Sequence, residues 1–203
     1  QMPLLSHSPN SVQTFKRAIA ANNGPAFVYL HVLFQSTISL LHRPHLLRKF
    51  SSDIPAIMPE PSFAPIASSA SRTIADILSI ADALDDKCLL ANPYLDQLVL
   101  PAGRSFLGER EATREALKRS GYTPGNSRPP SRGNGSAQNS VNRTNLLLVT
   151  RSWAETNFAT CQSVLDKIAV FWGGASWPAR ALEQESSGAT EDVDPDVCGE
   201  SPA

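Results

Sequence analysis

The chain has 203 residues, a formal net charge of -1 and a hydrophobic content of 41%. This length allows about one domain with a sizeable core, and the composition favours a globular protein over a wholly disordered one. The near-neutral charge gives no indication of an overall nucleic-acid surface, and no segment approaches the roughly 18 uninterrupted apolar residues that span a membrane, so no membrane partner is expected.

The first residues and the cysteines indicate the compartment. The chain opens with Gln1 rather than Met, which suggests a fragment or a processed piece, and it lacks a charged start followed by an apolar signal core. Cys88, Cys161 and Cys198 are isolated and odd in number, which argues against a disulfide framework and against the paired spacings of a zinc site. A reducing, intracellular compartment is the simplest interpretation.

The first two helices are predicted from turn signals and prolines. Residues 1–24 are expected to be partly helical, because Asn-Asn-Gly and Ser-Pro-Asn turn signals flank a short amphipathic stretch. A longer helix is predicted from about 25 to 43, since Pro25 suits its first turn and Pro44 ends it. One apolar stripe of this helix is expected to be buried. It comprises Phe27, Leu30, Phe34, Ile38 and Leu41.

A proline-rich segment precedes the next helix. Residues 51–69 contain four prolines and several serines, which predicts an extended connector lying over the helical core. The helix itself is predicted from Ser71 to Asp86, with Ser71 as its N-cap. Its buried face is expected to contain Ile74, Ile77, Leu78, Ala81 and Leu84.

A third helix is predicted to start near Asn92, which caps it, and Pro93, which fits the first helical position. Pro101 lies inside this helix and removes one backbone hydrogen bond, so a kink or a break is expected there. The charged residues 110–119 are expected to continue as a surface helix, which completes the first part of the core, 25–120. The predicted buried stripe is Leu95, Leu98, Val99, Ala102 and Phe106.

The last third of the chain is predicted to contain a linker, one long helix and a tail. Residues 121–142 have almost no apolar side chains, which predicts a flexible, disordered linker. The last part of the core, 143–182, contains a helix from about 145 to 172. Residues 183–203 carry seven acids and no base, and are predicted to be a disordered acidic tail. The core positions of the long helix are Leu146, Val149, Trp153, Cys161, Val164, Leu165, Ile168 and Trp172.

Candidate catalytic and metal-ligating residues are few. His42 and His45 lie at a helix end without a nearby cysteine or carboxylate, which favours capping and packing over metal ligation. Asp82, Asp85 and Asp86 look like a solvated helix end. No glycine-rich phosphate loop or nucleophile motif occurs. We therefore predict no catalytic, cofactor-binding or metal-binding residues and no enzyme activity. A metal-dependent hydrolase built on His42, His45 and Asp residues is a third alternative.

Several short motifs occur in a characteristic order. Leu-Leu-His-Arg-Pro lies within 30–47, a helix follows around 74–84, and Ala-Asn-Pro-Tyr at 91–94 leads into Ala-Gly-Arg at 102–104. In this order the motifs resemble the middle homology region of fungal zinc-cluster transcription factors, over residues 15–172. The family-motif residues, taken as structural, are His42, Arg43, Pro44, Asn92, Pro93, Gly103 and Arg104.

The patterns and the resemblance together predict an all-α fold, an irregular helical bundle with Pro-rich connectors. The resemblance implies a regulatory domain that acts in the nucleus and controls transcription through a DNA-binding module holding two zinc ions with six cysteines. This chain lacks those cysteines, so zinc is expected only in a missing upstream module, and DNA is a partner of the full-length protein. A homodimer and a regulatory protein remain open as partners. The alternative is a free-standing α-helical interaction module without a DNA-linked role.

Overall fold

The computed structural model describes residues 9–42, 64–120 and 135–188, and the fold of these ranges is all-α, as predicted. Within them the chain forms helices alone, joined by short turns, and no strand is present in these three ranges. The helices are α1 (Pro9–Ala20), α2 (Gly24–His42), α3 (Ala64–Leu84), α4 (Lys87–Leu90), α5 (Leu95–Arg119), α6 (Gly135–Phe171), a 3-10 turn (Gly173–Ala175) and α7 (Ser176–Ser187).

The corner between α1 and α2 forms at the predicted turn signal. Asn22 adopts a left-handed conformation with φ 57°, which lets the chain reverse before α2 begins at Gly24. Gly24 permits a close approach, since a Cβ there would lie 2.6 Å from the Cys88 Sγ atom. The rings of Phe15 and Phe27 stack with centroids 5.5 Å apart and hold α1 against α2.

Helices α2 and α3 lie antiparallel. Ser39, near the end of α2, meets Ser71 in the first half of α3, whereas Gly24 meets Cys88 just beyond the end of α3. The predicted face of α3 is buried at four of its five positions, while Leu84 is 37% exposed. The predicted connector and the predicted cap at Ser71 are wrong at this point, because α3 already begins at Ala64. Ser71 lies inside the helix, where its hydroxyl donates to the carbonyl of Ala67.

Helix α5 begins two residues after Pro93 and runs without a break to Arg119. Its start is held by Asn92, whose side-chain oxygen accepts the backbone N–H of Tyr94 at 3.0 Å. The predicted break at Pro101 does not occur, because this proline is buried and the helix packs along α6 on both sides of it. Of the predicted stripe, Leu98 is half-buried. The buried members are Leu95, Val99, Ala102 and Phe106.

Helix α6 begins earlier than predicted, and α7 replaces part of the predicted tail. The expected linker is wrong from Gly135 onward, since α6 starts there and extends unbroken to Phe171. The expected disorder from Glu183 is wrong for the first turn and more, because α7 continues to Ser187 and is anchored by the fully buried Leu182. Residues 43–63, 121–134 and 189–203, with the connector, linker and tail predictions that fall on them, lie outside the described residues.

The core lies between α2, α3, α5 and the second half of α6. Its largest fully buried side chains come from α3, α4, α5, α6 and α7. They are Ile74, Leu78, Leu89, Leu95, Phe106, Leu165, Ile168 and Leu182. Burial of side chains of this size is the main favourable term in the stability of a helical domain. The second half of α6 is therefore a core element, as predicted for Cys161, Val164, Leu165 and Ile168.

Candidate functional site

Two of the family-motif residues form the joint between α5 and α7. A Cβ placed on Gly103 would lie 2.5 Å from Cδ2 of Leu182, so a larger residue here would force the leucine side chain to shift. On the next residue, the Arg104 Nε donates to both carboxylate oxygens of Glu185 at 3.1 Å, and Nη2 donates to one of them at 2.8 Å. The two side chains are 11% and 20% exposed, so the forked pair is largely shielded from water.

The other motif residues are not brought together with this joint. Asn92 caps the turn before α5, and Pro93 follows it in the same turn. His42 is the last residue of α2, at the end of the α2–α3 pair opposite to Gly24 and Cys88. Arg43 and Pro44 lie outside the described residues. The motif residues that are described therefore act at separate caps and joints, not as one reactive cluster.

The histidines, acids and thiols are the side chains that could form a reactive cluster. Within 9–42, 64–120 and 135–188 no three His, Cys, Asp or Glu side chains lie close enough to hold a metal ion. Asp82 pairs with Lys167, while Asp85 accepts the backbone N–H of Lys87 at 3.3 Å. His45 lies outside these ranges.

The two described thiols, Cys88 and Cys161, are buried. Burial, with the neighbouring Asp85 as a smaller cause, raises the pKa of Cys88 to about 11. Burial alone raises the pKa of Cys161 to about 12. Both thiols are therefore protonated at neutral pH, a form in which sulfur is a poor nucleophile.

Helix α2 presents its apolar stripe to the outside, which overturns the prediction that this stripe is core. Leu30, Phe34 and Leu41 are 47%, 51% and 73% exposed. Phe27 and Ile38 on the edges of the stripe are half-buried. The buried side of α2 instead carries Gly24, Val28, His31, Val32, Gln35, Ser36 and Ser39.

Small side chains explain why this face of α2 is the buried one. Ser36 and Ser39 face the start of α3, where Ala67 and Ser71 are fully buried. The hydroxyls of Ser39 and Ser71 lie 3.1 Å apart and form a hydrogen bond between the helices. Small residues let two helix axes approach closely, and the hydrogen bond satisfies the hydroxyls of Ser39 and Ser71, whereas the buried Ser36 Oγ has no hydrogen-bond partner among the described residues. The spacing of these small residues in both helices is the sequence signal that identifies the interface.

A buried histidine extends the polar side of α2. The His31 ring packs against Phe27 with centroids 4.3 Å apart, and burial lowers the pKa of His31 below its ordinary value. The imidazole is therefore neutral at pH 7. Gln35 lies one turn further along the same side and is 8% exposed. The buried face of α2 therefore carries polar side chains and lies opposite to the apolar stripe.

Helix α2 also has the length and composition of a membrane span. Among the described residues it is the one helix that meets this criterion, with a mean hydropathy of 1.3 over its best 18-residue window, of which 39% is buried within the protein. A core helix meets the same criterion. Within the protein α2 packs against α1, α3 and α5.

Helix α6 extends beyond the end of α5. The two helices are antiparallel: the Arg110 guanidinium lies 5.6 Å from the ring centre of Phe158, and the indole N–H of Trp172 donates to the carbonyl of Leu90. Counting from the pair Arg110 and Phe158, with one residue of α5 for each residue of α6, Arg119 lies level with about residue 149. About 14 residues of α6, roughly 20 Å, therefore extend past the end of α5.

The apolar residues in the first half of α6 are exposed, which overturns the prediction that they belong to the core. Leu146, Val149 and Trp153 are 65%, 50% and 58% exposed. Leu146 lies beyond the level of Arg119, the last residue of α5, whereas Val149 and Trp153 lie beside the last turns of α5. Arg72 of α3 approaches the Trp153 ring at 5.9 Å and covers part of it.

Basic side chains lie on the neighbouring turns of α5 and α6. Arg114, Lys118 and Arg119 lie on the last turns of α5, and Arg143 and Arg151 lie on the first half of α6. The hydrogen bond from Lys118, with the neighbouring Arg114 and Arg119, lowers the pKa of the Glu115 carboxyl below its ordinary value. We name this set of basic residues, with Leu146, Val149 and Trp153, the overhang surface.

An open groove of about 530 Å³ also runs along the second half of α6. Phe158, Gln162, Asp166, Lys167 and Val170 line it, and all of its lining residues belong to this one helix. Binding pockets for small molecules are enclosed by several elements with converging polar groups. The groove lacks an opposing wall and has the form of a surface depression.

No protein-family model, curated protein or solved structure matches this chain. Three features of the structure bear on function: the joint of α5 with α7, the apolar stripe on α2 and the overhang surface on α6. The first stabilises the fold, and the other two are available for contact with other groups.

The ion pair at the α5–α7 joint should contribute measurably to stability. We expect Arg104→Ala to lower the free energy of unfolding by roughly 1.5 to 3 kcal/mol, the range for hydrogen bonds to charged groups. The matched control is Arg114→Ala, which removes an exposed pair with Glu111 and should cost about 0.5 kcal/mol or less. Urea unfolding followed by circular dichroism measures both values. Equal losses in the two variants would contradict a special role of the Arg104–Glu185 pair.

Proposed function

We propose that this chain is the regulatory, all-helical domain of a fungal-specific transcription factor, controlling target genes through a DNA-binding module that lies outside these residues. The observation that carries the proposal is the position of the Gly103-Arg104 motif. The motif lies where α7 packs on α5, and its two residues make the close approach and the forked ion pair that hold this joint. A motif that holds two helices together is consistent with a regulatory domain, whose function depends on its shape.

The second support is the chemistry of Asn92 and of the two described thiols. Asn92 acts as a cap, and the buried thiols of Cys88 and Cys161 are protonated and sealed from solvent. A regulatory domain requires a stable fold of this kind, with exposed surfaces that other groups can contact. Under this proposal the protein acts in the nucleus, and the zinc ions and the contacts with DNA belong to the module outside the chain.

A transcription assay tests the proposal. Residues 1–203 are fused to an unrelated DNA-binding domain, and a reporter gene with the matching site is measured in a fungal cell. We expect reporter transcription to differ from that produced by the DNA-binding domain alone. The variant Gly103→Val should abolish the difference at equal protein level, because it disrupts the α5–α7 joint. A reporter level identical to that of the DNA-binding domain alone would contradict the proposal.

A second candidate function is a free-standing helical interaction module, and the exposed stripe of α2 favours it. Leu30, Phe34 and Leu41 lie along one side of this helix and fit the apolar face of a partner helix. The variant Leu30→Lys tests this function, because it should release a co-purifying partner while leaving the fold intact. A partner lost in this variant, together with an unchanged reporter in the fusion assay, would favour the interaction module.

A further inference from the structure

The overhang surface carries an excess of positive charge. Its five basic residues are opposed by three carboxylates, and each of these carboxylates belongs to a pair on the surface of one helix. The pairs are Arg114 with Glu111, Lys118 with Glu115 and Arg151 with Glu155. Arg119 and Arg143 supply the remaining two charges, and both side chains are exposed. Exposed apolar residues with an excess of positive charge on the neighbouring turns fit a segment that combines acidic and apolar residues.

The sequence that follows α7 has this composition. Residues 189–203 contain five acids and no base, and their central part reads Asp-Val-Asp-Pro-Asp-Val over 192–197. Acidic and apolar side chains therefore alternate in it. The charge of this segment is opposite to that of the overhang surface, and its two valines are apolar partners for Leu146, Val149 and Trp153.

The end of α7 points the following segment toward the overhang surface. The Arg110 Nη2 donates to the carbonyl of Ser186 at 3.1 Å, and the same guanidinium lies over the ring of Phe158. The chain therefore leaves α7 beside the middle of α6. From Phe158 to Leu146 is about 18 Å along the helix, whereas 15 residues reach up to about 50 Å when extended.

From the charge, the composition and the exit point, we propose that residues 189–203 bind back onto the overhang surface of the same chain. The acids pair with Arg119, Arg143 and the neighbouring cations, and the valines cover Leu146, Val149 and Trp153. A second copy of the chain fits the overhang surface less well, since a symmetric contact would place the basic residues of the two copies against each other. The overhang surface is then a docking site for an acidic and apolar segment. This inference is independent of the proposed function.

Cys198 permits a direct test, because it lies in the segment, whereas Cys88 and Cys161 are buried and protonated. A nitroxide label on Cys198 of the full chain should broaden the indole N–H resonance of Trp153. It should leave Trp172, at the opposite end of α6, sharp. The variant Trp153→Phe assigns the resonance. Resonances that are equally sharp or equally broadened at the two tryptophans would overturn the proposal.

Charge variants and mixing complete the test. The double variant Arg119→Glu, Arg143→Glu should abolish the broadening at Trp153, and so should high salt, because exposed charges are screened. The matched control Arg180→Glu changes an exposed arginine on α7 and should leave the broadening intact. A mixture of spin-labelled chain with isotope-labelled, nitroxide-free chain should show no broadening. Broadening in the mixture would mean that the occupant belongs to a second copy, and persistence in the double variant would also overturn the proposal.

Discussion

Replacement of Phe106 by Ala should lower the free energy of unfolding by about 3 to 5 kcal/mol, the range for removing a buried phenylalanine ring. Phe106 is 0% exposed and lies in α5 among the core residues of α3 and α6. The loss combines the transfer of the ring out of the core with the cavity that remains. Denaturant unfolding followed by circular dichroism measures it.

The matched control for this change is Phe34→Ala. The same atoms are removed, but Phe34 is 51% exposed on the outer stripe of α2, so the free energy of unfolding should fall by less than about 1 kcal/mol. The comparison also tests the orientation of α2, because a buried stripe would make the two losses similar. A loss of more than about 3 kcal/mol at Phe34 would show that the stripe is covered in solution.

The joint between α5 and α7 gives the second large effect. Leu182→Ala should cost about 2 to 5 kcal/mol, since Leu182 is fully buried and anchors α7. Gly103→Val should cost about 1 to 3 kcal/mol, because the new side chain would enter the space held by the methyl groups of Leu182. The double variant should lose less than the sum, since valine on α5 then occupies the space vacated on α7.

This double-mutant cycle compares the free energies of unfolding of the two single variants and the double variant with that of the unmodified protein. A favourable coupling between positions 103 and 182 is the expected result. Losses that add exactly, with no coupling, would mean that the two positions do not share one space, and the close approach of α5 and α7 would be contradicted. The pair Leu182→Ala and Phe15→Ala serves as the reference for additive behaviour, because Phe15 packs on Phe27 between α1 and α2.

The positions of several helices follow from local signals in the sequence. Pro25 lies in the first turn of α2 as the sequence indicates, whereas α5 begins at Leu95, two residues after the first helical position predicted at Pro93, and the Asn92 side chain binds in the turn before it. These signals act over a few residues and need no knowledge of the rest of the fold. The buried stripe of α5 and the second half of α6 were predictable for a similar reason, because each helix has one clear apolar side there.

The face of α2 was not predictable from its apolar pattern. This helix is apolar around most of its circumference, so the spacing of Leu30, Phe34 and Leu41 does not identify the side that packs. The choice depends on α3, whose Ala67 and Ser71 accept a close neighbour and leave no room for large side chains. An interface of small residues is a property of two helices together.

The early start of α6 and the existence of α7 depend on distant contacts. The composition before residue 143 is that of a linker, and the acids after 182 are those of a tail. Leu182 nevertheless binds into the space above Gly103, and Glu185 pairs with Arg104 from a position 81 residues away. The sequence indicates the motif on α5 but not the partner that gives the motif its role.

Arg110 fastens the last turn of α7 to the middle of α6, and the chain leaves the described structure two residues later. A force on the following segment would therefore act first on the Arg110 contact and next on the Arg104–Glu185 ion pair. Helix α7 would lose its contacts in order from its C-terminal end toward Leu182. Tension on the segment after Gly188 is in this way converted into a graded loosening of the α5–α7 joint.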